Sequence, residues 1–106
     1  VGGVLKSIDI INYCEKHEIP CWVGGMFETG IGRTQNLQMA SYLPNARAHD
    51  QSPSDRYFLE DIVLPGVQMK NGYVDIESLK NCEIQTDLLD KYTVNEISYG
   101  IKTEAC

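Results

Sequence analysis

The densest chemistry in this sequence lies in ten residues, Gly24 to Arg33, which read GGMFETGIGR. Gly24-Gly25 lets backbone approach a ligand closely and takes angles that other residues avoid. Met26 and Phe27 supply an adaptable apolar wall. Glu28 offers a carboxylate to Arg33 or to a cation from elsewhere. Gly30-Ile31-Gly32 opens a helix, whose free N–H groups suit an anion. A plainer reading stands beside each of these: turn glycines, core Met26 and Phe27, and a structural Glu28–Arg33 pair. The Gly-x-Gly phrase lacks the third glycine at dinucleotide-binding spacing, so a nucleotide site is not indicated.

The other reactive side chains are scattered. Cys14, Cys21, Cys82 and Cys106 form no C-x-x-C pair, and neither His17 nor His49 stands at metal-ligand spacing from them. No residue is therefore assigned as a metal ligand. A disulfide framework belongs to secreted proteins, and no signal peptide is visible, so Cys14 and Cys21 read as small apolar groups reduced in a cytosol. Cys21 has no histidine near it in sequence, which argues against a thiol nucleophile. His17 reads as a solvated residue at a helix end, favoured there by the dipole. His49 reads as a packing residue in a strand, and Asp50 follows it.

Composition limits the function classes. The chain has 106 residues, 42% of them apolar, and a net charge of −6. That is enough apolar material for a core and no sign of disorder. There is no basic stripe for nucleic acid. No apolar run approaches the roughly 18 residues of a membrane span. The expected setting is the cytoplasm, with no nucleic-acid or membrane partner.

Positioning these residues takes the following elements. Val4, Leu5, Ile8, Ile11 and Cys14 recur at helical steps, with Lys6, Asp9, Asn12 and Glu15 opposite. The spacing predicts a helix from Val4 to His17, stopped by Pro20. Ile19-Pro20-Cys21-Trp22-Val23 is continuously apolar, as in a parallel strand buried on both faces. Gly32 to Leu43 reads as a second helix with Leu37, Ala40, Ser41 and Leu43 inward. Ala46 to His49 reads as a second strand. Helix–strand alternation of this kind indicates parallel βα units. Gly24–Gly32 and Asp50 then follow the C-terminal ends of strands, the face where α/β barrels carry their sites.

The second half of the chain, from Ser52 onward, changes character. Ser52-Pro53-Ser54-Asp55 caps a short helical segment through Leu59. Asn71-Gly72 between alternating runs predicts a hairpin. Thr86 to Tyr92 reads as a short helix capped by Thr86, and Asn95 to Ile101 as a closing strand. Two parallel strands and two helices neither close a barrel nor cover a sheet. The chain opens on Val1-Gly2-Gly3, as if mid-phrase. The expectation is the C-terminal piece of a larger α/β protein. The competing reading is an independent α+β binding or structural module.

Several phrases carry a family resemblance: Val1-Gly2-Gly3, Ile19 to Arg33, Asp50 with Ser52 to Tyr57, Glu60-Asp61-Ile62, Asn71 to Asp75 and Asp90 to Thr93. Together they resemble the C-terminal end of the o-succinylbenzoate synthases and N-acylamino acid racemases of the enolase superfamily. The resemblance implies residues 1–62 as the last part of a modified (β/α) TIM-type barrel. Cys21 to Gly24 would be the seventh strand and Ala46 to His49 the eighth. Residues 63–106 would return to an α+β capping domain. It implies proton abstraction next to a carboxylate, with a divalent metal, usually Mg2+, holding the resulting anion and lysines moving the proton. In the synthase, loss of water then yields an aromatic product of menaquinone synthesis; the alternative activity is racemisation. The same resemblance puts the metal ligands and lysines on chain outside this sequence, with no catalytic residue inside it. It carries over Gly24, Gly25, Met26, Phe27 and Asp50 as wall around a small carboxylate substrate. Glu28 and Arg33 carry over as braces of the loop. Phe27 is bulkier than the usual Ile or Leu, which implies altered side-chain selection. The partner is the missing N-terminal part, and homo-oligomeric assembly is left open.

Overall fold

Apolar residues at three- and four-residue steps produce helix α1, Val4–Lys16, in the computed structural model, which describes residues 1–43, 45–46 and 48–99. Glu18 sits at φ 54, and the Ile19 N–H returns to the Cys14 carbonyl at 2.9 Å. This left-handed cap stops the helix before Pro20 is reached. Only part of the expected apolar face is used. Ile11 is buried and Ile8 packs beside it, whereas Val4, Leu5 and Ile10 are exposed.

Helix α2, Gly30–Ala40, begins two residues before the expected Gly32. The reason is remote in sequence. Its first N–H, on Gly30, donates to the Asp61 carboxylate at 2.8 Å, across 31 residues. Thr29, the residue at the cap, makes no side-chain cap bond. Asp61 thus does for α2 what a local cap residue commonly does. Leu37, Ala40 and Leu43 are buried as expected, Met39 joins them, and Ser41 is exposed instead.

Helix α2 separates two small cores. On one side Met39 and Leu43 meet Ile11, with Ile8, Cys21, Val23 and Ala46 packed around them. On the other, Leu37 meets Val67 and Leu79. Residues from the second half of the chain therefore pack directly on α2.

Two expected parallel strands reduce to one contact. Gly24 and Asp50 form a parallel bridge, with the Asp50 N–H donating to the Val23 carbonyl at 3.1 Å. The Val23 N–H donates to Nδ1 of His49 at 3.1 Å rather than to a backbone carbonyl. A side chain has taken the place of a ladder bond, so no ladder extends upstream. The expectation that both faces of Ile19–Val23 are buried also fails. Cys21 and Val23 pack inward, while Ile19 and Trp22 are exposed, Trp22 by 65%. Arg47, within the second expected strand, lies outside the described residues.

The strand pair that does form was not anticipated. Strand β1, Val63–Leu64, pairs antiparallel with β2, Glu83–Ile84, in the register Val63 to Ile84 and Leu64 to Glu83. Between them, Asn71 at φ 53 and Gly72 at φ 81 make the anticipated two-residue turn, closed by reciprocal Lys70–Tyr73 bonds of 2.8 and 3.0 Å. The hairpin goes no further than that pair. Short 3-10 turns occupy Ser54–Arg56 and Glu77–Asn81. Helix α3, Thr86–Tyr92, follows β2 with Gln85, not Thr86, at its cap position. Lys91 and the Tyr92 hydroxyl both donate to Glu60 at 2.6 Å, tying α3 to the segment after the first 3-10 turn. Residues 95–99 form no strand, and the remainder of that expected element lies outside the described residues.

Candidate functional site

The Gly24–Asp50 bridge brings the ends of two non-helical segments together, and the loop Gly25–Thr29 leaves from that point. Gly25 is a position of close approach. A Cβ there would stand 2.7 Å from the Asp50 carbonyl and 3.2 Å from the Gln51 side chain. The approach is to the chain's own backbone. Neither Gly24 nor Gly25 has a positive φ, contrary to the expectation of unusual angles at both.

The loop is shaped by Glu28. Its two carboxylate oxygens accept from the Met26 N–H at 2.9 and 2.8 Å, and one also accepts from the Asn36 amide at 3.1 Å. Partial burial works against the charged form. The N–H groups of Glu28 itself and of Met26, the Asn36 amide and the Arg33 charge outweigh it, holding the carboxyl below its usual range.

Arg33 lies beneath this turn with none of its surface exposed. Its guanidinium donates to the Glu28 carbonyl at 2.8 Å and to both the carbonyl and hydroxyl oxygens of Ser52 at 2.8 Å. Among the described residues there is no carboxylate–guanidinium salt bridge between Glu28 and Arg33. The two instead grip one turn from opposite sides, Glu28 by N–H groups and Arg33 by carbonyls. A planar fork with five donors suits that task.

With the turn fixed, Met26 and Phe27 point outward, 70% and 69% exposed. They are not core residues among the described part of the chain. Phe27 meets Tyr57 edge to face, centroids 5.0 Å apart at 84°. The Arg33 guanidinium lies 5.5 Å from the centre of the same Tyr57 ring. Asp50 is exposed at the bridge. The helix N-terminus at Gly30 is already served by Asp61, so its first N–H is not free for an anion.

The sequence assigned Gln51, Tyr57 and Asp61 no role at the site, and Ser52 only one in a helix cap. Ser52, Tyr57 and Asp61 act across 19 to 31 residues of chain, and local patterns carry no signal of such pairings. The Gln51 side chain donates to the Val23 carbonyl at 3.3 Å, and its oxygen is buried without a partner beside Gly25.

A cavity of about 730 Å3 lies elsewhere, between Cys14, Cys21, Trp22, Leu43 and Ala46. None of the loop residues lines it. Burial, reinforced by the Cys14 thiol and the nearby Glu15 carboxylate, pushes the Cys21 thiol up, making it a poor nucleophile. No cluster of three or more His, Cys, Asp or Glu side chains placed to hold a metal ion occurs among the described residues. Nor is any described helix long and apolar enough to cross a membrane.

Residues 1–80 match the family described as enolase C-terminal domain-like. The chain belongs to that family. It is 37% identical to an o-succinylbenzoate synthase of Bacillus subtilis over 94 residues, covering 87% of this chain and 25% of that protein. It is also 37% identical to an N-succinylamino acid racemase of an Amycolatopsis species over 103 residues, covering 94% of this chain and 27% of the other. A solved enolase-superfamily member from Listeria innocua superposes with a TM-score of 0.77 at 34% identity, over 90% of this chain and 26% of that one. The chain thus spans about a quarter of the length of these relatives.

Proposed function

We propose that this chain works as the C-terminal part of an enzyme that removes a proton next to a carboxylate, with o-succinylbenzoate synthase activity as the leading reading. The observation that carries it is that most of the similar curated relatives, those of Bacillus subtilis and Listeria innocua at 37% identity among them, are o-succinylbenzoate synthases, combined with the fixed turn that presents Met26 and Phe27. In this reading Gly24, Gly25, Met26, Phe27 and Asp50 wall one side of the pocket around a small carboxylate substrate. Glu28 and Arg33 keep the wall in place. They do so by satisfying the turn's backbone groups, which leaves the two apolar side chains free to face substrate.

The reaction class calls on a divalent cation, Mg2+ in this reading, to stabilise the anion formed when the proton leaves. The described residues do not fit such a site, since they bring no three ligating side chains together. In this reading the cation and the proton-moving lysines would come from residues outside this chain. What these residues supply is shape: an apolar surface that orients the substrate side chain and excludes water from it.

The tail, residues 63–106, would extend toward a capping domain while packing on α2 through Val67 and Leu79. The exposed Val4, Leu5, Ile10 and Trp22 would be covered by the N-terminal part of the same protein. An independent module is less favoured. Its radius of gyration of 16.4 Å exceeds the roughly 13 Å of a compact domain of this length.

A racemase reading is favoured by one observation, the 103-residue match to the Amycolatopsis racemase. Both activities begin with the same proton removal. The test is to assay the full-length enzyme for dehydration of the cyclohexadiene carboxylate precursor and for racemisation of N-succinyl amino acids. Dehydration as the faster reaction is expected. Racemisation without dehydration would reverse the order, and neither would overturn both.

A further inference from the structure

Phe27 is exposed, and an exposed phenylalanine on a loop would sample several rotamers. Two groups stand in series behind it and oppose this. The fully buried Arg33 guanidinium is fixed by Glu28 and Ser52 at 2.8 Å. The Tyr57 ring lies against it at 5.5 Å. The Phe27 ring stands on Tyr57 at 5.0 Å and 84°, the favoured edge-to-face geometry. Tyr57 arrives from the other side of the Gly24–Asp50 bridge, in the turn that follows Ser54–Arg56. It is 44% exposed, so it is not held in the core for packing alone.

We infer that Tyr57 is the positioning residue that sets the direction of Phe27, and through it the fit of the substrate side chain. This deepens the functional reading above and rests on it. Tyr57 does not act on the reacting atoms. It transmits the rigid placement of Arg33 to a mobile-prone side chain at the pocket wall. An aromatic pair of this geometry biases the Phe27 rotamer by a factor of about two to ten, which bounds what its loss can cost in substrate binding. A wall that contacts substrate equally before and during reaction is read in KM more than in kcat.

The experiment uses the full-length enzyme and whichever carboxylate substrate it turns over. Tyr57→Ala and Phe27→Ala should each raise KM about two- to tenfold with kcat little changed. The double variant should be no worse than the larger single effect, since both remove one arrangement. Tyr57→Phe should keep KM near the wild-type value, because the ring is kept. Should Tyr57→Ala fold poorly, Tyr57→Leu keeps bulk over Arg33 but removes the ring partner, and it should raise KM equally. Additive effects, or a Tyr57→Leu enzyme with altered melting and unchanged KM, would overturn the inference. A wild-type enzyme active on one substrate separates that result from failure of the functional reading. An enzyme active on neither overturns both.

Discussion

Phe27 and Met26 owe their outward placement to backbone chemistry around them, not to their own apolar character. The Met26 N–H and the Glu28 carbonyl are each bound by a side chain, so the turn resists tucking these two side chains inward. If Phe27 is wall, Phe27→Ala in the intact enzyme should alter the ratio of kcat/KM between two carboxylate substrates while moving the melting temperature little. A large drop in melting temperature with an unchanged ratio would make it a packing residue. Arg33→Met should cost about 2–3 kcal/mol in denaturant unfolding, since it leaves the half-buried carbonyls of Glu28 and Ser52 without their donors. The Glu28 prediction concerns pH. Its folded carboxyl titrates below the unfolded one, so its contribution to stability is complete above the unfolded value of about 4.3 and fades as pH falls through the folded value. The stability gap between wild type and Glu28→Gln should therefore be widest near neutral pH and narrow in acid.

At the level of elements, helix α2 depends on a residue far away in sequence. Gly30 has room for no side chain: a Cβ would lie 2.0 Å from a methyl of Val63 and 2.8 Å from the Asp61 carboxylate. Gly30→Ala should cost about 1–3 kcal/mol through overpacking, measured by unfolding of the intact enzyme. Asp61→Ala should cost about 1 kcal/mol by removing the cap. These contacts also show what the sequence could convey. Helices α1 and α3 and the Asn71-Gly72 turn rest on local signals, and each formed within a residue or so of its expected span. The Asp61 cap, the β1–β2 pair and the His49 bond to Val23 rest on neighbours brought together only by the fold. Periodicity reports nothing about such neighbours. The same holds at the candidate site. The Gly24 to Arg33 phrase announced a shaped loop, but not that Arg33 would hold carbonyls rather than the Glu28 carboxylate. Nor did it point to Tyr57.

Across the whole molecule, two small cores flank α2, and much apolar surface on α1 and at Trp22 stays uncovered. A single well-covered domain would bury such surface. In the proposed reading the rest of the enzyme covers it and brings the cation and the proton-moving lysines. The most direct test is hydrogen exchange in D2O by the full-length enzyme, read at the carbon next to the carboxylate of the cyclohexadiene precursor or of an N-succinyl amino acid. The account predicts enzyme-dependent loss or replacement of that hydrogen, with Phe27→Ala changing which substrate is favoured. Full retention of the hydrogen in both substrates, by a folded enzyme supplied with Mg2+, would contradict it.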